Sequence, residues 1–210
     1  MRYQFLFLIL SFLINEKSLA QTVQLSKGFG SQVSGELKPF FSPSEGQIED
    51  LLKGEVISVG SVDSPKPKLQ QMMLFVSGIH PRNCTRAMRK LSLYQNYSQY
   101  MDFIKKSAYD DKTQRLSFTI DHALLPFPMV VGFKIQRITR PGIYPFTFED
   151  GFLKGLQGRV VVSEVGKFCL LGLKTDWQGP DSGLPDLMFG TFVQTVGKLG
   201  LEHLIRVSIF

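Results

Sequence analysis

Side chains suited to metal binding or acid-base chemistry are scarce in this sequence, which has three histidines and two cysteines in 210 residues. His80, His122 and His203 are dispersed, and Cys84 stands far from Cys169. A metal site needs such ligands clustered at short spacings, so no metal and no cofactor is expected. No Gly-x-Ser-x-Gly elbow marks a nucleophile and no Gly-x-x-x-x-Gly-Lys loop would cradle a phosphate, Gly28-Phe29-Gly30 being too short to stand for one. Asp121 and His122 are adjacent, but neighbours on a strand face opposite ways, so they read as a surface pair. No catalytic residue is assigned.

Long apolar runs are equally scarce. The one from Phe5 to Ile14 is shorter than the ~18 residues a spanning helix needs. With Arg2 before it and Ser18-Leu19-Ala20 after it, residues 1–20 read as a secretory signal cleaved near Ala20, with an uncleaved anchor as the alternative. No cysteine follows the run to carry a lipid. The expectation is an exported protein, periplasmic or extracellular. The leader contributes a net +1 through Arg2, Glu16 and Lys17, so the formal +6 becomes +5 after cleavage. That mild excess matters only where it clusters. Nucleic-acid binding would want a larger basic face interleaved with exposed aromatics and is not expected. Cys84 and Cys169 would meet an oxidising compartment, either as a disulfide or as two separate buried thiols. Asn83-Cys84-Thr85 and Asn96-Tyr97-Ser98 match glycosylation sequons, which matter only in a eukaryotic secretory route.

What is abundant is apolar, 43% of the chain, enough for a sizeable core. Residues 21–42 show little periodicity and read as a loose lead-in. Ser44 caps a short predicted helix bearing Ile48, Leu51 and Leu52 and ending at Gly54. An extended segment runs from Glu55 to Val62, and Asp63-Ser64-Pro65-Lys66-Pro67 reads as a turn, because two prolines do not suit a paired strand. Leu69 to Ser77 is an apolar strand ending at Gly78. From Pro81 a helix places Cys84, Ala87, Met88 and Leu91 on one face and Arg82, Arg86, Arg89 and Lys90 on the other. That basic face is either simply solvated or a contact for anionic lipid headgroups.

Beyond Phe103 the period becomes two. Leu116, Phe118 and Ile120 alternate with polar residues, Val131, Phe133, Ile135 and Arg137 share one face, and Tyr144, Phe146 and Phe148 share another. Arg159 to Glu164 and Lys167 to Asp176 make a final hairpin around Val165-Gly166. A Gly/Pro loop then leads to a closing helix, Leu184 to Arg206, with Asp186 at its N-cap. Its stripe is Phe189, Phe192, Val193, Val196, Leu199 and Leu204, interrupted by Gly190, Gly197 and Gly200. The organisation is thus a signal at 1–20, a lead-in at 21–68 and one α+β domain at 69–210. In it an antiparallel meander of about six to seven strands needs a cover for its apolar face, and the closing helix provides one.

This order resembles the START-like (SRPBCC) superfamily, nearest to its coenzyme Q-binding and polyketide cyclase types. The resemblance spans about Leu69 to Arg206. It rests on the strand-helix opening Met72 to Leu93, the link Leu124-Leu125-Pro126-Phe127-Pro128, the segment Phe152-Leu153-Lys154-Gly155-Leu156-Gln157-Gly158 before a strand, and the terminal helix. Asn83-Cys84 departs from relatives at the helix start. The resemblance implies a helix-grip fold, a curved antiparallel sheet wrapped around the C-terminal helix with an apolar cavity between them. The contacts it implies are Phe133, Arg137, Tyr144, Phe146 and Phe148 from the sheet and Phe189, Phe192, Val193, Val196 and His203 from the helix. Each has a plainer reading: the aromatics as filled core, Arg137 as a strand end reaching solvent, His203 as a structural histidine.

The expected function is binding or carriage of a hydrophobic small molecule, lipid or quinone-like. A cyclase or aromatase in which Arg137, a tyrosine and His203 orient an intermediate is the second expectation, and a ligand-free envelope interaction module the third.

Overall fold

Strands β2 (Leu69–His80) and β8 (Phe168–Pro180) pair antiparallel along their whole length, from Leu69 opposite Pro180 to His80 opposite Cys169. Alternate residues point to opposite faces. Met72, Leu74, Val76, Leu171 and Trp177 therefore join one core, and Phe75, Ile79, Phe168 and Leu170 join another on the reverse side. A strand pair buried on both faces reads as a continuous apolar run, which Phe168 to Leu171 displays.

In the computed structural model, which describes residues 27–121, 128–151 and 153–209, the sheet extends both ways from this pair. Its order is β1 (Ile57–Lys66), β2, β8, β7 (Gln157–Val165), β6 (Gly142–Asp150), β5 (Met129–Ile135), β4 (Arg115–Ile120) and β3 (Ile104–Asp110), all antiparallel. Eight strands exceed the expected six to seven because the extended segment of the lead-in adds β1 to the sheet. The signal-peptide reading of residues 1–20, the histidine at 122, positions 124–127 of the link and position 152 lie outside the described residues.

Three local expectations are corrected. The Asp63 to Pro67 stretch is not all turn: β1 stays paired to Lys66 opposite Leu69, with a register shift between Asp63 and Lys66. An edge strand tolerates Pro65 there because one side of it needs no ladder donor. Strand β2 runs past Gly78 to His80. The lead-in holds a helix, α1 (Lys27–Leu37), which with α2 (Glu45–Leu52) covers the reverse face. Val33, Leu37 and Leu51 are fully buried there, and Phe41 stacks on Phe75 at 4.4 Å. Phe29, Val33 and Leu37 fall at i, i+4 and i+8, a stripe short enough to miss. A capping box between Ser44 and Gln47 starts α2.

Helix α3 (Cys84–Leu91) is N-capped by Asn83, whose side chain accepts from the Arg86 amide at 3.0 Å. Its buried face is Cys84, Ala87, Met88 and Leu91, while Arg82, Arg86 and Arg89 are exposed. Cys84 and Cys169 form a disulfide that ties α3 to β8. A 3-10 turn (Tyr94–Asn96) and α4 (Tyr97–Tyr100) lead into β3.

The closing helix, α5 (Asp186–Ser208), lies across β1 and β2 and touches α3. Pro185 occupies the N-cap, so Asp186 is not the cap but the first helical residue. Its carboxylate instead accepts from Gln70 Nε2 at 2.7 Å and Ser64 Oγ at 2.8 Å, fastening the helix start to the β1–β2 hairpin. These hydrogen bonds, Gln70's first, hold its carboxyl below the usual aspartate range. Farther along, Ser58 Oγ donates to the Gln194 carbonyl at 3.0 Å and Gln194 Nε2 donates to the Gly60 carbonyl at 3.2 Å.

Candidate ligand cavity

Helix α5 leans on one half of the sheet, where Gly197 allows a close approach. A Cβ at Gly197 would stand 2.8 Å from Val76 Cγ2, and one at Gly190 would meet Val62 at 3.7 Å. The opposite flank, Phe192, Val196, Gly200 and Leu204, faces the inner side of β4 to β7 across a cavity of about 390 Å3. Near Gly200 only Phe103 comes within range, at 4.0 Å, so that glycine widens the space rather than closing it.

The far wall is aromatic. Phe133 stacks on Phe148 at 4.9 Å and meets Phe118 edge-on at 5.6 Å, while Tyr97 stacks on Phe118 at 5.8 Å. Val160 and Val162 of β7, Leu116 of β4, and Met88 and Leu91 of α3 complete much of the lining. The two tyrosines of the lining have committed hydroxyls. Tyr94 donates to the Gln136 carbonyl at 3.2 Å and accepts from the Ile138 amide at 3.0 Å, and Tyr97 donates to the Leu91 carbonyl at 2.7 Å. Burial pushes both phenols above their ordinary value, so they stay neutral. Among the described residues the lining contains no carboxylate, imidazole, ammonium or guanidinium.

Of the contacts expected from sequence, Phe133, Phe146, Phe148, Phe192, Val193 and Val196 line this cavity together. Four do not. Arg137 lies two residues beyond the end of β5 and turns outward, pairing with Asp111, donating to the Ser92 carbonyl and lying 4.5 Å from the Tyr109 ring centroid. Tyr144 is buried and donates to the Arg140 carbonyl at 2.7 Å. Phe189 is fully buried with its ring edge-on to Trp177 at 6.0 Å. His203 is half-buried outside the lining, because the packed face of α5 is rotated toward the glycines, which also leaves Leu199 exposed.

Sequence reasoning passed over Met72, Leu74 and Val76 of β2 and Leu116 and Phe118 of β4 as contacts. Their alternation was visible, but alternation alone does not tell core from cavity wall. On the reverse face a second concavity of about 720 Å3 is bounded by Asp63, Arg159, Lys174 and Asp176, polar walls unsuited to an apolar molecule. No group of three or more metal-ligating side chains occurs among the described residues.

No family model matches this sequence, and no relative is found among curated proteins. Solved structures do match in shape. Zhui aromatase/cyclase from Streptomyces sp. R1128 superposes with a TM-score of 0.54 at 10% identity, covering 66% of this chain and 93% of that one. A conserved protein from Geobacillus kaustophilus gives 0.54 at 10% identity over 64% and 93%. Ara h 8.0201 gives 0.52 at 10% identity over 66% and 98%. Identities this low speak for the fold. The chain shares with these structures an α+β helix-grip fold, an antiparallel sheet against a long C-terminal helix.

Proposed function

We propose that this protein binds and carries an uncharged apolar small molecule, lipid or quinone-like, in the cavity between α5 and the sheet. The observation that carries this reading is the lining itself: about 390 Å3 of space walled by aromatic and aliphatic side chains and bounded by no described charge. Pockets of this size suit drug-sized or chain-like ligands. Export belongs to the proposal. It rests on the leader-like residues 1–20 together with the Cys84–Cys169 disulfide, a bond that oxidising compartments favour.

A surface carrying anionic headgroups is the proposed donor or acceptor, contacted through Arg82, Arg86 and Arg89. Lys90 drops out of that set because its ammonium donates to the Val207 carbonyl at the end of α5, at 3.0 Å. A cation at a helix C-terminus is a favourable placement in its own right.

The test is native mass spectrometry of the protein expressed as the full chain, followed by organic extraction. A reproducible apolar species released on extraction is the expected result, and a mass beginning at Gln21 is expected for the exported form. Val196→Trp fills the cavity and abolishes that species while the circular dichroism spectrum is retained. Undiminished loading in this variant would locate the ligand elsewhere.

A further inference from the structure

Of the side-chain oxygens on the described lining residues, one is unengaged. Three of the described lining residues carry a side-chain oxygen, Tyr94, Tyr97 and Thr175. Both phenols are bound to the main chain. Thr175 is 4% exposed, and its Oγ1 has no hydrogen-bond partner among the described residues. It shares the inward parity of β8 with Leu171, Leu173 and Trp177, opposite Leu74 of β2 and Gly158 of β7. The next strand brings a ring close by: a Cβ on Gly158 would fall within 2.4 Å of Phe146 Cζ, so the Phe146 ring lies over that glycine beside Thr175.

A buried hydroxyl left unpaired is costly, and valine would fill the same volume without the cost. An ordered water would not resolve it, since a buried water needs about two to four polar partners and the described lining has no second unengaged side-chain oxygen. A ligand oxygen would. A ligand charge is disfavoured by the same lining, because no described counter-charge faces it.

We infer that Thr175 is the polar anchor of the cavity, and that the ligand is an uncharged, mostly apolar molecule carrying a single hydroxyl or carbonyl oxygen bound by Thr175 Oγ1. Oγ1 donates to a carbonyl and either donates to or accepts from a hydroxyl. The apolar remainder lies along Phe146, Phe133 and Val196. The inference rests on the carriage reading above and adds the chemistry and orientation of the cargo.

The experiment is displacement of the neutral dye N-phenyl-1-naphthylamine by 1-dodecanol, 2-dodecanone and tridecane, molecules of similar length that differ in one oxygen. In the wild-type chain the alcohol and ketone compete better than the alkane. Thr175→Val weakens both by about two- to tenfold and leaves the alkane unchanged or tighter, while Thr175→Ser keeps both within about twofold of wild type. Without ligand, Thr175→Val melts no lower than wild type, because the hydroxyl it removes has no partner to lose. Equal effects on all three competitors, or none on the alcohol and ketone, overturn the anchor and leave the cavity standing. A Thr175→Val protein that melts well below wild type also overturns it, by showing the hydroxyl engaged within the fold. Dye that fails to bind the wild-type chain overturns the carriage reading and the anchor together.

Discussion

Arg137 and Asp111 meet as fork and carboxylate, Nε to Oδ1 at 2.8 Å and Nη2 to Oδ2 at 2.9 Å, outside the cavity. Most of the Asp111 side chain is solvated, so the pair itself contributes little. The guanidinium also covers the Tyr109 ring, and that packing is what a truncation removes. Arg137→Ala should therefore lower stability by about 1 kcal/mol in urea titration and leave dye affinity unchanged. A large loss of affinity at constant stability would return Arg137 to the ligand.

Two glycines of α5 should answer the same substitution with opposite signs. A methyl at Gly197 runs into Val76, whose β-branched side chain in a paired strand has little room to yield. Gly197→Ala should lower the melting temperature, with a cost of about 1–3 kcal/mol. Gly200→Ala meets open space and should gain up to about 1 kcal/mol from helix propensity. Equal shifts for both would mean that α5 does not rest on β2 as described.

The disulfide joins residues 85 apart in sequence. Closing so long a loop restricts the unfolded chain by up to about 4–5 kcal/mol in the chain-entropy treatment, and about 2–4 kcal/mol is the usual yield. Urea midpoints with and without dithiothreitol should differ accordingly, and the Cys84→Ala, Cys169→Ala double variant should match the reduced protein. Identical midpoints would show that the two sulfurs are not bonded in solution.

His80 is fully buried at the end of β2, with Nδ1 accepting from the Arg82 amide at 3.0 Å. Burial, the largest influence, holds its pKa below the ordinary imidazole value, against main-chain contacts with Arg82 and Ser208 that favour the charged form. The unfolded chain then binds the proton first, so stability contributed by neutral His80 is complete above about pH 6.5 and is lost as pH falls below it. Asp111 and Asp186, both held low, add losses of the same sign at more acidic pH. His80→Asn, which keeps an acceptor for the Arg82 amide, should flatten the upper part of the acid limb in urea midpoints measured across pH. An unchanged limb would assign the loss to other groups.

The sequence made the cavity's far wall readable because alternation places Phe133, Phe146 and Phe148 on one face whatever the sheet's curvature. It did the same for Phe192, Val193 and Val196 on the helix. Arg137 was misplaced because its parity is defined only while β5 continues, and pairing ends at Ile135. His203 and Leu199 were misplaced because a helical stripe is centred by what it packs on, and hydrophobicity patterns do not weigh glycine as a contact residue. Thr175 was invisible for a different reason. A single threonine among apolar neighbours acquires meaning only when every other hydroxyl around it is accounted for, and that accounting requires coordinates. The helix on the reverse face was hidden by three glycines and two serines among its eleven residues.

The extra layer of α1 and α2 divides the sheet mechanically. β2 is clamped between α5 and that layer and pairs with β8 along its length, whereas β3 to β5 show half-buried and exposed residues along much of their length. Any widening that admits a molecule would then come from the outer strands bending away from a stationary spine, not from the long helix lifting off. Amide hydrogens of β2 and β8 should exchange in the slowest class and those of β4 and β5 in a faster one.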